Sequence, residues 1–232
     1  ICSVDLGINT DAVCTIMRPD GTILGRKFIN FPSDKDRMYR VLGRIRRFQR
    51  EHGSRQVQGK WAYAKRLNTE LGRKIAREIV LYASEKKADV IVFEYLEMKG
   101  KLSGKKKQKL QMWRKRDIQK RCGQQAHRKG IRISRICAWN TSRLAFDGSG
   151  EIARDIQDHR LCTFQNGKRY NCDLSASYNI GARYFIREIL KPLPATERSL
   201  LEAKVPAVKR RTSCVYADLR DLISEMELRK AA

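Results

Sequence analysis

The stretch Ala88-Asp89-Val90-Ile91-Val92-Phe93-Glu94-Tyr95-Leu96 decides how the rest of the chain is read. Val90 to Phe93 is an unbroken β-branched and aromatic run, the pattern of a strand buried on both faces. It ends in Glu94, and a carboxylate is costly to bury alone. Glu94 therefore needs a cation, a hydrogen-bonding partner or a route to water.

Upstream of this strand, Cys2 to Leu6, Ala12 to Met17 and Thr22 to Phe28 read as three strands, with Arg18-Pro19-Asp20-Gly21 supplying a tight turn. They predict an antiparallel meander with Asp5 at the exit of its first strand. Ser33 with Asp36 reads as a capping box. Met38, Val41, Leu42, Ile45 and Phe48 follow it at helical spacing, and Arg40, Arg44, Arg46, Arg47 and Arg50 take the other face. Gly53 ends that helix. A longer one, about Lys60 to Lys87, carries Ala64, Leu67, Leu71, Ile75 and Ile79 on one stripe and delivers the chain to Glu94. Meander, helices, then a buried strand mark an α/β domain.

Downstream, Tyr95 to Arg135 holds fifteen Lys and Arg against two acids, Glu97 and Asp117. Gly100 to Lys109 reads as a basic loop. A helix with Leu110, Trp113 and Ile118 follows to about Lys129, stopped by Gly130, and Ile131 to Ala138 alternates as another strand. Thr141 to Lys168 is polar and glycine-rich, hence read as irregular. Tyr170-Asn171-Cys172-Asp173 opens a helix with Leu174, Tyr178, Ile180, Tyr184, Phe185 and Ile189 on its apolar side. Pro192 and Pro194 end it, and one more helix is expected near Tyr216 to Leu228.

The whole chain has 232 residues, fifty Lys and Arg against twenty-five Asp and Glu, and a net charge of +25. Such an excess repels itself in a folded protein and suits a polyanionic partner, most often nucleic acid. No apolar run approaches the length of a membrane span, and no signal peptide is evident, so no membrane partner is expected. Seven scattered cysteines without a C-x-x-C pair speak against a disulfide framework and for a reducing compartment. The sequence opens inside a strand without Met, which suggests the C-terminal part of a longer polypeptide.

Three acids stand out by context: Asp5 ending a strand, Glu94 ending a buried strand, and Asp173 beginning a helix. They lie 89 and 79 residues apart, so only a fold can unite them. United, they make an all-carboxylate site of hard oxygen donors that suits Mg²⁺ or Mn²⁺, with two ions suited to phosphodiester hydrolysis. Taken singly, Asp5 also reads as a turn residue, Glu94 as half of a buried ion pair and Asp173 as a helix cap.

Val4-Asp5-Leu6-Gly7-Ile8-Asn9, Ile91-Val92-Phe93-Glu94-Tyr95-Leu96 and Asp173-Leu174-Ser175-Ala176-Ser177-Tyr178-Asn179-Ile180 resemble, in that order, the three motifs of the RuvC-type nuclease domain. The likeness is greatest to the TnpB nucleases and their descendants, the type V CRISPR effectors, and Thr141-Ser142 falls where that family has a Thr-Ser pair. The resemblance covers most of Ile1 to Ile189. It implies an RNase H-like mixed sheet with flanking helices and a metal-dependent endodeoxyribonuclease directed by guide RNA to target DNA in a prokaryotic cytoplasm. It also implies further domains upstream. Asp5, Glu94 and Asp173 would be the metal ligands. Lys99, Lys101, Lys105, Lys106, Lys107, Arg114, Arg116, Thr141 and Ser142 are the candidate nucleic-acid contacts. The corresponding division is 1–140 for the first two motifs, 141–169 for a degenerate zinc-ribbon-like insert, 170–191 for the third motif and 192–232 for a basic helical tail.

Two departures qualify the likeness. Where the family carries two cysteine pairs for zinc, this chain has Ala145, Gly148, Cys162 and Gln165, so no structural zinc is expected, and a small zinc-free hairpin stays open to the insert. In the third motif Ser175 and Ser177 stand where Asn and Ala are usual. A nuclease-inactive RNA- or DNA-binding module on the same fold is the alternative reading. An actin-like ATPase, which also opens on a strand with Asp-x-Gly, lacks its second glycine-rich loop here. The three motifs alone do not separate a guide-independent junction resolvase.

Overall fold

A computed structural model of the chain describes residues 1–7, 9–53, 57–95, 115–210 and 212–231. The candidate contacts Lys99, Lys101, Lys105, Lys106, Lys107 and Arg114, the basic loop, and Leu110 and Trp113 lie outside the described residues.

The buried run forms strand β4 (Val90–Tyr95), and every residue before Tyr95 is buried. Around it are β1 (Cys2–Asp5), β2 (Ala12–Met17), β3 (Ile23–Ile29) and β5 (Arg132–Cys137), in the sheet order β3-β2-β1-β4-β5. The first three strands run antiparallel as the expected meander. β1, β4 and β5 run parallel to one another.

Alternation along the strands divides the core in two. Cys2, Val4, Ile91 and Phe93 face helices α2 (Gln58–Glu85) and α3 (Lys115–His127), meeting Ile75, Ile79, Ala83, Ile118 and Cys122. Val13, Met17, Val90 and Val92 face helix α4 (Cys172–Leu190) and meet Ile180 and Ile186. α4 is buried on nearly all sides because the tail covers its outer surface. That tail holds α5 (Ala195–Lys204) and α6 (Tyr216–Ala231), and Leu219 and Leu222 of α6 are fully buried. Helix α1 (Pro32–His52) packs on the first half of α2 through a small core of its own, with Met38 and Ile45 against Ala64. Gly130 ends α3 with φ of 69°, and the N–H of Ile131 folds back onto the Ala126 carbonyl at 3.0 Å.

Three local expectations are corrected. The start of α1 is not a capping box: Pro32 opens the helix, Phe31 is the cap residue, and no side chain caps it. Pro at the first helical position has its φ already set for a helix and no N–H of its own to leave unsatisfied, so the helix starts before Ser33. The chain entry is fixed by Asp11 instead, which accepts from the Phe31 N–H at 2.8 Å and pairs with Lys35 at 3.0 Å. The segment read as irregular holds a separate three-stranded antiparallel sheet of β6 (Ala153–Arg154), β7 (Leu161–Thr163) and β8 (Arg169–Asn171). These strands are too short for alternation to show in sequence. Helix α5 was not expected, because Leu201 is its one buried residue and no apolar stripe marks it. Among the described residues no helix is long and apolar enough to cross a membrane.

Candidate active site

β1 and β4 lie side by side in the same direction, pairing Cys2 with Ile91, Ser3 with Val92 and Val4 with Phe93. One further step along that register sets Asp5 level with Glu94 on adjacent strands, about 4.8 Å apart. Alternation places Ser3 and Asp5 on the α4 face of β1, and Val92 and Glu94 on the α4 face of β4. Asp5 and Glu94 are both 7% exposed.

The third acid arrives on α4. Gly181 of this helix lies over Met17 and Ser3, so closely that a Cβ there would stand 2.8 Å from Met17 Cε. One turn earlier, the hydroxyls of Ser177 and Thr15 meet at 2.6 Å. Each helical turn thus advances about as far as two strand residues, roughly 6 Å in the helix and 7 Å in the strand. One more turn back sets Asp173 level with Val13, and Val13 pairs with Asp5. The three acids therefore share one end and one face of the sheet. Among the described residues, no three His, Cys, Asp or Glu side chains stand grouped closely enough to enclose an ion as they lie.

Asn171 caps α4, its side chain accepting from the Leu174 N–H at 2.9 Å. Asp173 occupies the first turn, where the helix dipole favours an acid. The exposed guanidinium of Arg160 interacts chiefly with Asp158, at 2.8 Å, and also senses the charge of Asp173.

Glu94 is held by Thr141 and by groups the sequence does not single out. The Thr141 hydroxyl donates to its carboxylate. Thr141, a candidate nucleic-acid contact, is 1% exposed, with its hydroxyl on Glu94. Gln119 of α3, 7% exposed, donates through Nε2 to the Glu94 carbonyl at 2.9 Å and accepts from Arg135 at 3.1 Å. Asn179 donates to the carbonyls of Thr141 and Leu144 at 3.0 and 2.9 Å, fixing the backbone behind Thr141. Arg183, two positions beyond Gly181, donates to the carbonyls of Cys137, Trp139 and Cys214 at 3.0, 2.6 and 2.8 Å. Burial pulls its pKa down, and negative charges nearby, Glu94 and Asp218 among them, oppose that. Its Nη2 is buried without a hydrogen-bond partner among the described residues. The one signal for Asn179 and Arg183 in the sequence is polarity inside an otherwise apolar helix.

Among the other candidate contacts, Arg116 is exposed in the first turn of α3 and Ser142 is half-buried beside Thr141. Trp139 is 68% exposed and belongs to the surface. In the insert, Ala145 and Cys162 are buried against Phe164 and Cys172 in an apolar cluster edged by Phe146 and Tyr170. Gly148, with φ of 80°, packs on Ala217, and the Gln165 side chain folds over Gly150. The positions of the two zinc pairs are thus taken up by apolar packing and an amide.

The strand order, the parallel pair carrying Asp5 and Glu94 and the closing helix with Asp173 define an RNase H-like fold of the RuvC type. Among the solved structures similar to this chain are two Cas12f complexes. One is a Cas12f1–sgRNA–target DNA complex, with a TM-score of 0.56 and 18% identity over 78% of this chain and 49% of that chain. The other is a CRISPR-Cas12f ternary complex, with a TM-score of 0.54 and 17% identity over 78% of this chain and 38% of that chain. The chain thus spans about half or less of the length of either neighbour. No family model matches the sequence, and no curated protein matches it.

Proposed function

We propose that this chain is the nuclease portion of an RNA-guided DNA endonuclease, hydrolysing DNA phosphodiesters with a divalent cation after a guide RNA has paired with its target. The observation that carries this reading is the placement of Asp5 and Glu94, level on adjacent parallel strands and under the first turn of the helix bearing Asp173. The donor set is all carboxylate oxygen, which fits Mg²⁺ or Mn²⁺. Asp5, Glu94 and Asp173 would hold the metal. When bound, the metal supplies activation of water and stabilisation of the leaving oxygen.

The chain's own groups do the rest. Thr141 and Gln119 fix the orientation of Glu94, so the carboxylate is preorganised and does not need to be ordered at each turnover. Asn179 and Arg183 tie the segment after β5 to α4, keeping Thr141 in place as nucleic acid arrives. The +25 charge draws in phosphate backbones. Sequence would then be read by base pairing and not by side chains. The sgRNA and target DNA named in one neighbouring complex support these partners.

The test is cleavage of guide-matched DNA by the protein purified together with its co-purifying RNA. Cutting is expected only with Mg²⁺ or Mn²⁺. Asp5→Asn, Glu94→Gln and Asp173→Asn should each reduce it by about 100-fold or more while leaving RNA binding intact. Full cutting by Glu94→Gln would refute the assignment, and RNA binding with no cutting under any metal would favour the nuclease-inactive reading.

A further inference from the structure

Helix α1 is amphipathic in an unusual sense. Its inner stripe, with Met38 and Ile45, is closed against α2. Its outer face is a ridge of arginines. Arg40, Arg44, Arg47 and Arg50 lie around Gly43 and line an open groove of about 490 Å³. None of these guanidiniums pairs with a carboxylate among the described residues. Of the three acids of the same helix, Asp34 is turned to Lys74 at 2.8 Å and Glu51 to His52 at 3.9 Å, while Asp36 is exposed at the start of the ridge and makes no ion pair among the described residues.

Two features of this face work against the helix. Like charges three and four residues apart repel. Glycine in a helix interior weakens it relative to alanine, and no packing demands Gly43, since a Cβ built there meets nothing within 4 Å. Both features make sense if a partner brings negative charge and approaches the backbone closely. The choice of residue narrows the partner. Arginine presents a planar fork that grips phosphate oxygens in pairs, which lysine does not. Tyr39, 70% exposed, stands at the rim with the Arg46 guanidinium 5.9 Å from its ring centre. An exposed ring backed by a guanidinium is a stacking platform for an unpaired base. Beyond Tyr39, no large apolar side chain of α1 is exposed to enter a lipid layer.

We propose that the outer face of α1 is a docking surface for a folded RNA, with phosphates gripped by Arg40, Arg44, Arg47 and Arg50 and an unpaired base stacked on Tyr39. A uniform DNA duplex offers the phosphates but keeps its bases stacked within. The surface is separate from the carboxylates: α1 packs on α2, and α2 covers the sheet face opposite α4. The inference therefore does not depend on the cleavage reading.

The test is fluorescence anisotropy of a labelled RNA hairpin with an unpaired loop, titrated against the whole chain across a range of KCl concentrations. A fully paired RNA duplex and a DNA duplex of equal length serve as comparisons, and thermal melting monitors the fold. The triple variant Arg40→Ala/Arg44→Ala/Arg47→Ala is expected to weaken hairpin binding at least about ten-fold and to lower the salt slope by about 2–3. Tyr39→Leu should weaken the hairpin about ten-fold and leave the paired RNA unchanged. Gly43→Ala should raise the melting temperature yet weaken the hairpin. Hairpin binding should be the same in Mg²⁺ and in EDTA, which keeps this surface distinct from the carboxylate site. An unchanged salt slope in the triple variant would overturn the surface. Equal binding of hairpin and DNA duplex, unaffected by Tyr39→Leu, would overturn its assignment to RNA.

Discussion

Glu94 joins an acid at a strand end to a prepared carboxylate. Thr141 meets its side chain and Gln119 its carbonyl, all three at 7% exposure or less. A hydrogen bond to a buried carboxylate is among the stronger ones, and leaving one unmade costs about 1–3 kcal/mol. Thr141→Val keeps the shape and removes the hydroxyl. It should lower unfolding free energy by that amount in urea titrations, whereas Thr141→Ser should recover most of the loss. Wild-type stability in Thr141→Val would mean that the hydroxyl does not hold Glu94. At this scale the sequence showed the acids, because each sits where an element ends. It did not show Gln119, Asn179 or Arg183 as supports, since their partners are main-chain carbonyls 25 to 46 residues away, to which no local pattern points.

Among the elements, α4 decides the geometry of the site. It presses on the sheet through small residues, with Ser177 against Thr15 and Gly181 against Met17 and Ser3. A larger residue at 181 has no room: the first carbon alone would be 3.0 Å from Met17 Sδ and 3.1 Å from Ser3 Oγ. Gly181→Leu is therefore expected to destabilise by about 1–3 kcal/mol or more and to weaken Mn²⁺ binding by displacing Asp173, both measurable on one preparation by thermal melting and titration calorimetry. Unaltered stability and Mn²⁺ affinity would mean that α4 does not set the site. The sequence announced long elements well. β2 occupies Ala12–Met17 as its apolar run implies, and β4 and α4 follow their patterns. Where an element is short or depends on side-chain turns, the signal fades. The insert turns on Asp155, whose carboxylate accepts from the N–H groups of Gln157 and Asp158, and on Asn166, which accepts from that of Lys168. Such Asx turns are read in sequence as loop.

On the scale of the molecule, a net charge of +25 accompanies two buried acids and a half-buried one at one sheet end, and a basic face lies on α1. What the sequence left open was the meeting of Asp5, Glu94 and Asp173, which depends on a parallel pairing between distant strands and on the depth at which α4 sits. That meeting is the central claim, and the most direct test is anomalous diffraction from crystals of the chain grown with Mn²⁺. The account predicts manganese peaks bounded by the carboxylates of Asp5, Glu94 and Asp173, with oxygens at roughly 2.1 Å, the distance usual for a small hard divalent ion. Manganese bound only elsewhere, with those three carboxylates uncoordinated, would contradict it.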